Sequence, residues 1–108
     1  METVLELTSP EIEIDDRDRS GTHRGHEGLL AFAREWLENF DQFWIEIREM
    51  EEGPNGVFVA LTQRGKGKES GIEFALPLHY AMRLRDGKVA CWGITTTAKD
   101  ARVEVGLN

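Results

Sequence analysis

One cysteine, Cys91, is all that the 108 residues hold, which excludes an internal disulfide and any zinc cluster built from cysteine thiolates. A chain without disulfides suits a reducing compartment, and a cytoplasmic location is expected. Basic residues are outnumbered: 13 Lys and Arg stand against 20 Asp and Glu, for a net charge of −7. A field of that sign repels phosphate backbones and anionic headgroups, so neither nucleic acid nor a membrane is expected as a partner. Long apolar runs are missing too. The opening Met1-Glu2-Thr3-Val4-Leu5-Glu6 is acidic, and neither a secretory signal nor a membrane span is expected. No internal repeat or low-complexity segment appears, which excludes repeat architectures.

What is present suffices for a folded core. Hydrophobic residues make up 40% of the chain and charged residues 31%, enough apolar surface to offset chain entropy and enough charge to keep it dispersed in water. The length predicts a single domain over residues 1–108. A chain of this size buries roughly two-thirds of the surface its unfolded form exposes, so pairing with a second copy is a useful source of further burial.

Periodicity gives the elements. Thr3 to Leu7 suits a helical turn, which Pro10 must end by forcing Ser9 into extended geometry. Glu11 to Asp15 alternates as a short half-buried strand does. Asp16 to Gly25 is polar and punctuated by glycine, and predicts a loop without regular structure. From His26 to Phe40, Leu29, Phe32, Ala33, Trp36, Leu37 and Phe40 recur at three- and four-residue steps, the signature of an amphipathic helix. Phe43, Ile45 and Ile47 then alternate with polar neighbours as a strand. Gly53-Pro54-Asn55-Gly56 predicts a turn, Val57 to Arg64 a second strand, and Gly65 to Gly71 a hairpin tip.

The longest alternation follows: Ile72, Phe74, Leu76, Leu78, Tyr80, Met82 and Leu84 share one face. Pro77 inside it cannot donate a ladder hydrogen bond and predicts a bulge or an edge position. Asp86-Gly87 signals a hairpin into a last strand from Lys88 to about Thr96. Thr97-Ala98-Lys99-Asp100 has the spacing of a capping box, opening a short helix that ends near Gly106. A short strand, one long helix and a meander of four strands predict an α+β domain, a curved antiparallel sheet wrapped on a helix.

Three stretches carry a family resemblance. They are Asp15-Asp16-Arg17-Asp18-Arg19 leading to Arg24-Gly25-His26-Glu27-Gly28-Leu29-Leu30-Ala31-Phe32, then Arg64-Gly65-Lys66-Gly67-Lys68-Glu69-Ser70-Gly71, then Leu84-Arg85-Asp86-Gly87-Lys88-Val89. In this order and spacing the chain resembles the SnoaL-like, polyketide cyclase-like family of the nuclear-transport-factor-two-like superfamily, over nearly its whole length. The resemblance implies a cystatin-like cone whose helices close the concave side of a curved sheet around an apolar pocket, frequently as a dimer across the sheet.

Two departures accompany it. Members usually begin with a long helix that covers the pocket, whereas this sequence starts where the second helix should be ending. That leaves apolar surface near Trp36 to be covered by a partner. Relatives often place an acidic residue at the end of the last strand, where Thr97 stands here, and similar epoxide hydrolases carry a catalytic aspartate where this chain has Ile94.

The candidate proton-transfer groups are Asp16, His79 and Tyr80. Asp16 is an acid at the entrance of an apolar pocket, an environment that raises a carboxyl pKa. The family's strand histidine matches Tyr80 better than His79, and since Tyr80 shares the apolar face, alternation sends His79 to the other side. As a buried phenol, Tyr80 suits either a ligand contact or a core aromatic bonded to backbone. Trp36, Phe40, Tyr80 and Trp92 are expected to line the pocket. Asp15, Asp16, Asp18, Arg17, Arg19, Arg24, His23 and His26 lack regular ligand spacing, so no metal is expected and solvated ion pairs are. Gly65 to Gly71 lacks the strand-loop-helix setting of a phosphate loop, and no cofactor is expected.

Three functions remain open. The leading one is a dimeric small-molecule-binding domain that takes an apolar or aromatic ligand. The second is an isomerase, cyclase or hydrolase using Asp16, His79 or Tyr80 for proton transfer. The third is a dimerisation or interaction module without a ligand.

Overall fold

A computed structural model describes residues 2–17 and 21–107. The elements run α1 (Glu2–Leu7), β1 (Thr8–Asp16), β2 (Gly21–Arg24), α2 (Gly25–Asn39), β3 (Phe40–Gly53), β4 (Gly56–Gly67), β5 (Glu73–Arg85), β6 (Lys88–Thr95) and α3 (Ala98–Glu104). The six strands form one curved, open sheet in the order β2-β1-β6-β5-β4-β3. Two differences from the sequence reading concern its first edge. Gly21–Arg24 forms a strand paired antiparallel to β1, with Glu13 opposite Arg24 and Asp16 opposite Gly21. Its four residues are too polar to show an apolar alternation, and a long-range ladder supplies what local pattern does not. The ladder between β1 and β6 is parallel, so the sheet is antiparallel except at this one junction.

The long strands bend at irregularities. Register shifts interrupt the β3–β4 ladder between Phe40 and Gln42 and again between Ile47 and Glu49, and another falls between Arg83 and Leu84 on β5. Each kinks its strand and adds local twist. Pro77 causes no bulge: the β4–β5 ladder runs through the Thr62–Pro77 pair without a shift. Pairing with β6 begins only at His79, so Pro77 lies where β5 has a single neighbour, as the edge alternative requires. At the β5–β6 hairpin Asp86 and Gly87 have φ of 52° and 77°, the positive pair that a two-residue type I′ turn demands.

The sheet separates two cores. On one face, Ile12 and Ile14 of β1, Val59 and Leu61 of β4, Leu78 and Tyr80 of β5, and Ile94 of β6 pack with Leu29 and Phe32 of α2. On the other, Phe58, Ala60 and Ala81 pack under Ala101 and Val105 of α3. The residues alternate strictly along β4, odd positions toward α2 and even positions toward α3, as a two-sided strand dictates. Thr97 precedes α3 in extended geometry without a side-chain cap hydrogen bond, so the capping-box spacing there does not form a box. The edge strand β3 leaves Trp44, Ile45, Ile47 and Met50 between 42% and 61% exposed. Among the described residues, no helix is long and apolar enough to cross a membrane.

Candidate functional site

The strongest candidate site lies between α2 and the concave sheet face. Leu29, Phe32, Ala33, Trp36 and Leu37 of α2 form its roof, and Phe43, Ile45, Gln63, Tyr80, Trp92 and Ile94 form its floor, around a cavity of about 230 Å³. Both surfaces follow from the sequence. The roof is the stripe that the helical period places on one side. The floor is the set of residues that cross-strand register aligns on one face: Ile45 opposite Gln63, and Tyr80 opposite Ile94 with Met82 opposite Trp92.

Aromatic rings give the cavity its shape. Trp92 meets Phe32 edge-on at 5.7 Å and Tyr80 edge-on at 5.2 Å between ring centres. Edge-to-face contacts at these distances are the favoured geometry for aromatic pairs. Trp36 stacks on Phe40 at 5.2 Å, and Phe40 in turn meets Phe74 at 4.9 Å. Of the four expected lining residues, Trp36, Tyr80 and Trp92 line the cavity. Phe40, the first residue of β3, is not among the lining residues and stacks on Trp36. Gly65 makes this arrangement possible, since a Cβ there would lie 2.6 Å from the carbonyl oxygen of Gln42 and 2.7 Å from the Phe74 ring.

Among the described residues, none that lines the cavity is charged. Gln63, 4% exposed, donates from Nε2 to the Tyr80 hydroxyl oxygen at 3.3 Å. Its Oε1 is buried and has no protein partner, and neither has Nε1 of Trp92. Sequence reading did not single out Gln63. A signal was available: it continues the inward row of Val57, Val59 and Leu61, and a polar residue at an inward position demands an explanation.

Asp16 lies at the end of the same row. It is 3% exposed, shares the inward parity of Ile12 and Ile14, and sits in register with Ile94, which is itself opposite Tyr80. Two strand spacings separate the backbones of Asp16 and Tyr80, about 10 Å, and Ile94 fills the position between them. His79 lies on the other face, its ring stacked on Phe58 at 5.9 Å, with Nδ1 buried and without a protein partner.

The charged segment before α2 resolves into ion pairs. Arg17 binds Asp15 at 3.0 Å and also Glu104 of α3. Partial burial lowers the pKa of Arg17, but hydrogen bonds to Asp15 and Glu104 outweigh it and hold the guanidinium above its ordinary value. Arg24 lies 3.9 Å from Glu13. Nε2 of His26 lies 3.1 Å from the carbonyl oxygen of Thr8, tying the first turn of α2 to β1, and His23 packs on Phe32. Asp18 and Arg19 lie outside the described residues. Among the described residues no three of His, Cys, Asp and Glu come together as metal ligands.

The profile of the SnoaL-like domain matches residues 1–92. The chain belongs to the SnoaL-like family. No curated protein sequence matches it, whereas solved structures share its fold. An NTF2-like protein of unknown function from Burkholderia pseudomallei K96243 is 18% identical with a TM-score of 0.78, the match covering 95% of this chain and 82% of that one. TerC, crystallised with polyporic acid, is 22% identical with a TM-score of 0.78 over 96% of this chain and 83% of that one. The epoxide hydrolase/cyclase-like enzyme SalBIII of salinomycin pyran-ring formation is 14% identical with a TM-score of 0.74, covering 86% and 74%. At these identities the likeness is one of fold, and function lives in the site rather than in the fold.

Proposed function

We propose that this SnoaL-like domain binds one small, largely apolar molecule in the cavity beneath α2, and that it does so as a homodimer joined through its sheet. The cavity carries the reading: about 230 Å³ lined by five aromatic rings and aliphatic side chains, without a charged group among the described lining residues. An apolar cavity of about 150 Å³ takes benzene, so this one suits a fused bicyclic or a substituted single ring. The exposed apolar residues of β3, Trp44 on the α3 side and Ile45, Ile47 and Met50 on the cavity side, support association of copies at this edge of the sheet.

The test is thermal unfolding with naphthalene. At tenfold its Kd a ligand contributes about 1.4 kcal/mol, a rise in Tm of roughly 6–11 °C for a domain of this size. Ala33→Phe directs a ring into the cavity from α2 and removes that rise while circular dichroism keeps its native form. An absent rise in the parent protein, or an equal rise in the variant, overturns the reading. Sizing over a dilution series decides the dimer, and concentration dependence without any ligand response points to the interaction module instead.

One observation favours a second reading, proton-transfer catalysis of the isomerase, cyclase or hydrolase kind. Asp16 is buried in the row that leads through Ile94 to Tyr80, and a carboxylate in such surroundings is a plausible base. Turnover of a bound compound that disappears in Asp16→Asn and in Tyr80→Phe supports it, while turnover unchanged in both removes it.

A further inference from the structure

We infer that the cleft at the end of the sheet, between the β3–β4 turn and the β5–β6 hairpin, binds a small multivalent oxyanion of the phosphate-ester or polycarboxylate class through Arg83, Arg85 and the neighbouring Lys88. This cleft is separate from the cavity beneath α2, and the inference goes beyond the function proposed above. Its volume is about 570 Å³, and Asn55, Arg83, Arg85 and Cys91 are among its lining residues. Strand register assembles the cations. Arg85 stands directly opposite Lys88, and Arg83 opposite Cys91, across the β5–β6 ladder. Alternation puts all three cations on the α3 side, because Val89, opposite Leu84, packs toward α2.

Like charges directly opposite one another on one face of a hairpin destabilise it, and no acid offsets these. Arg17, Arg24, Arg64 and Arg102 each pair with a carboxylate. Among the described residues no carboxylate pairs with Arg83, Arg85 or Lys88, although acids outnumber bases by 20 to 13. Arg83 reaches only sulfur: its Nη2 donates to Sγ of Cys91 at 3.2 Å, which leaves most of its N–H donors for a ligand. The two acids on the cleft wall do not compete for these cations. Glu104 is held by Arg17. Glu52 is in register with Val57, and Val57 with Met82; both of these pack toward α2, on the opposite face of the sheet from the cations. Nor does the net charge of −7 decide the matter, since charges more than about 10 Å apart are largely screened at about 0.1 M salt. The cations beside the cleft govern an anion inside it. Guanidinium forks match the paired oxygens of a phosphate or carboxylate, and three clustered positive charges favour a multiply charged anion over chloride.

Two probes test this, pyrophosphate and citrate, each dialysed to equilibrium against the intact chain at pH 7.5 in about 0.1 M KCl, so that chloride competes and weak surface attraction is screened. The expected result is saturable binding of at least one probe, and the tighter of the two identifies the class. Replacing both Arg85 and Lys88 by Gln, two exposed hairpin residues, should weaken that binding tenfold or more. Arg24→Gln removes an arginine whose side chain is 78% exposed on the far edge strand β2, and should change the affinity less than twofold. No saturable binding of either anion overturns the inference. So does an affinity that survives the double replacement, or one that falls as far in Arg24→Gln, which would mean that the general field of the protein and not this cleft holds the anion. The response to naphthalene is read on the other side of the sheet, so either result stands without the other.

Discussion

The contact between Gln63 and Tyr80 can be measured as a coupling free energy, and its expected size follows from the geometry. Its length of 3.3 Å exceeds the usual amide-to-oxygen distance of about 2.9–3.0 Å. Its net worth therefore falls in the lower part of the common range, about 0.5–1 kcal/mol. Removing one partner costs more than that. Tyr80→Phe strips Nε2 of its acceptor on a side chain only 4% exposed, whose Oε1 already lacks a partner, and a buried group so abandoned costs about 1–3 kcal/mol.

Gln63→Leu removes both amide atoms at once and keeps most of the volume. Adding Tyr80→Phe to Gln63→Leu should then cost less than adding it to the parent protein. Urea unfolding of the parent, the two single variants and the double variant closes the cycle. For a domain of this size the urea m-value is about 1–3 kcal/mol/M, so a loss of about 2 kcal/mol moves the midpoint by roughly 1 M and is easily resolved. The expected coupling is about 0.5–1 kcal/mol, opposing the single losses. Additivity within about 0.3 kcal/mol would refute the claim that the hydroxyl holds the amide in place.

Two further outcomes concern packing. Leu61→Ala, at a position with 0% exposure inside the α2-side core, should cost about 2–5 kcal/mol by leaving a cavity among neighbours that relax only in part; a loss below 1 kcal/mol by urea unfolding would show that this core repacks freely. Gly65→Ala should cost about 1–3 kcal/mol by overpacking, because the added methyl meets the Gln42 carbonyl and the Phe74 ring inside contact distance, and a variant as stable as the parent in thermal unfolding would mean that β3 and Phe74 yield without strain.

Much of this fold is legible from local pattern because its elements obey local rules. The stripe from Leu29 to Phe40 predicts α2 to within a residue of its observed bounds, Gly25–Asn39. Asp86-Gly87 predicts its turn because few other dipeptides tolerate positive φ at both positions. Alternation on β5 places Tyr80 inward and His79 outward without any structural information. What is not legible depends on distant partners. Gly21–Arg24 becomes a strand only because β1 offers it a ladder, and β1 joins the sheet through a parallel ladder to a strand more than seventy residues later in the chain. The aromatic members of the cavity are readable as apolar positions, and parity along β4 points Gln63 inward, but what its amide meets there is not readable. Its partner Tyr80 lies on the neighbouring strand, and no periodicity of β4 reports what β5 presents.

Whether the domain binds or also transforms its ligand turns on Ile94. It is 4% exposed, lines the cavity, and stands in register between Asp16 and Tyr80. A carboxylate at this position, desolvated by the surrounding rings, would be a base with a raised pKa aimed into the cavity. An isoleucine contributes contact area and no proton chemistry. The polar groups left on the wall are an amide, an indole and a phenol. The first two do not titrate near neutral pH, and a phenol ordinarily does so near 10. Proton abstraction therefore requires a substrate long enough to pass Ile94 and reach Asp16, whereas binding requires only that a ring system fit between Trp36 and Trp92. The geometry places fewer demands on binding, which is why it is the reading put first.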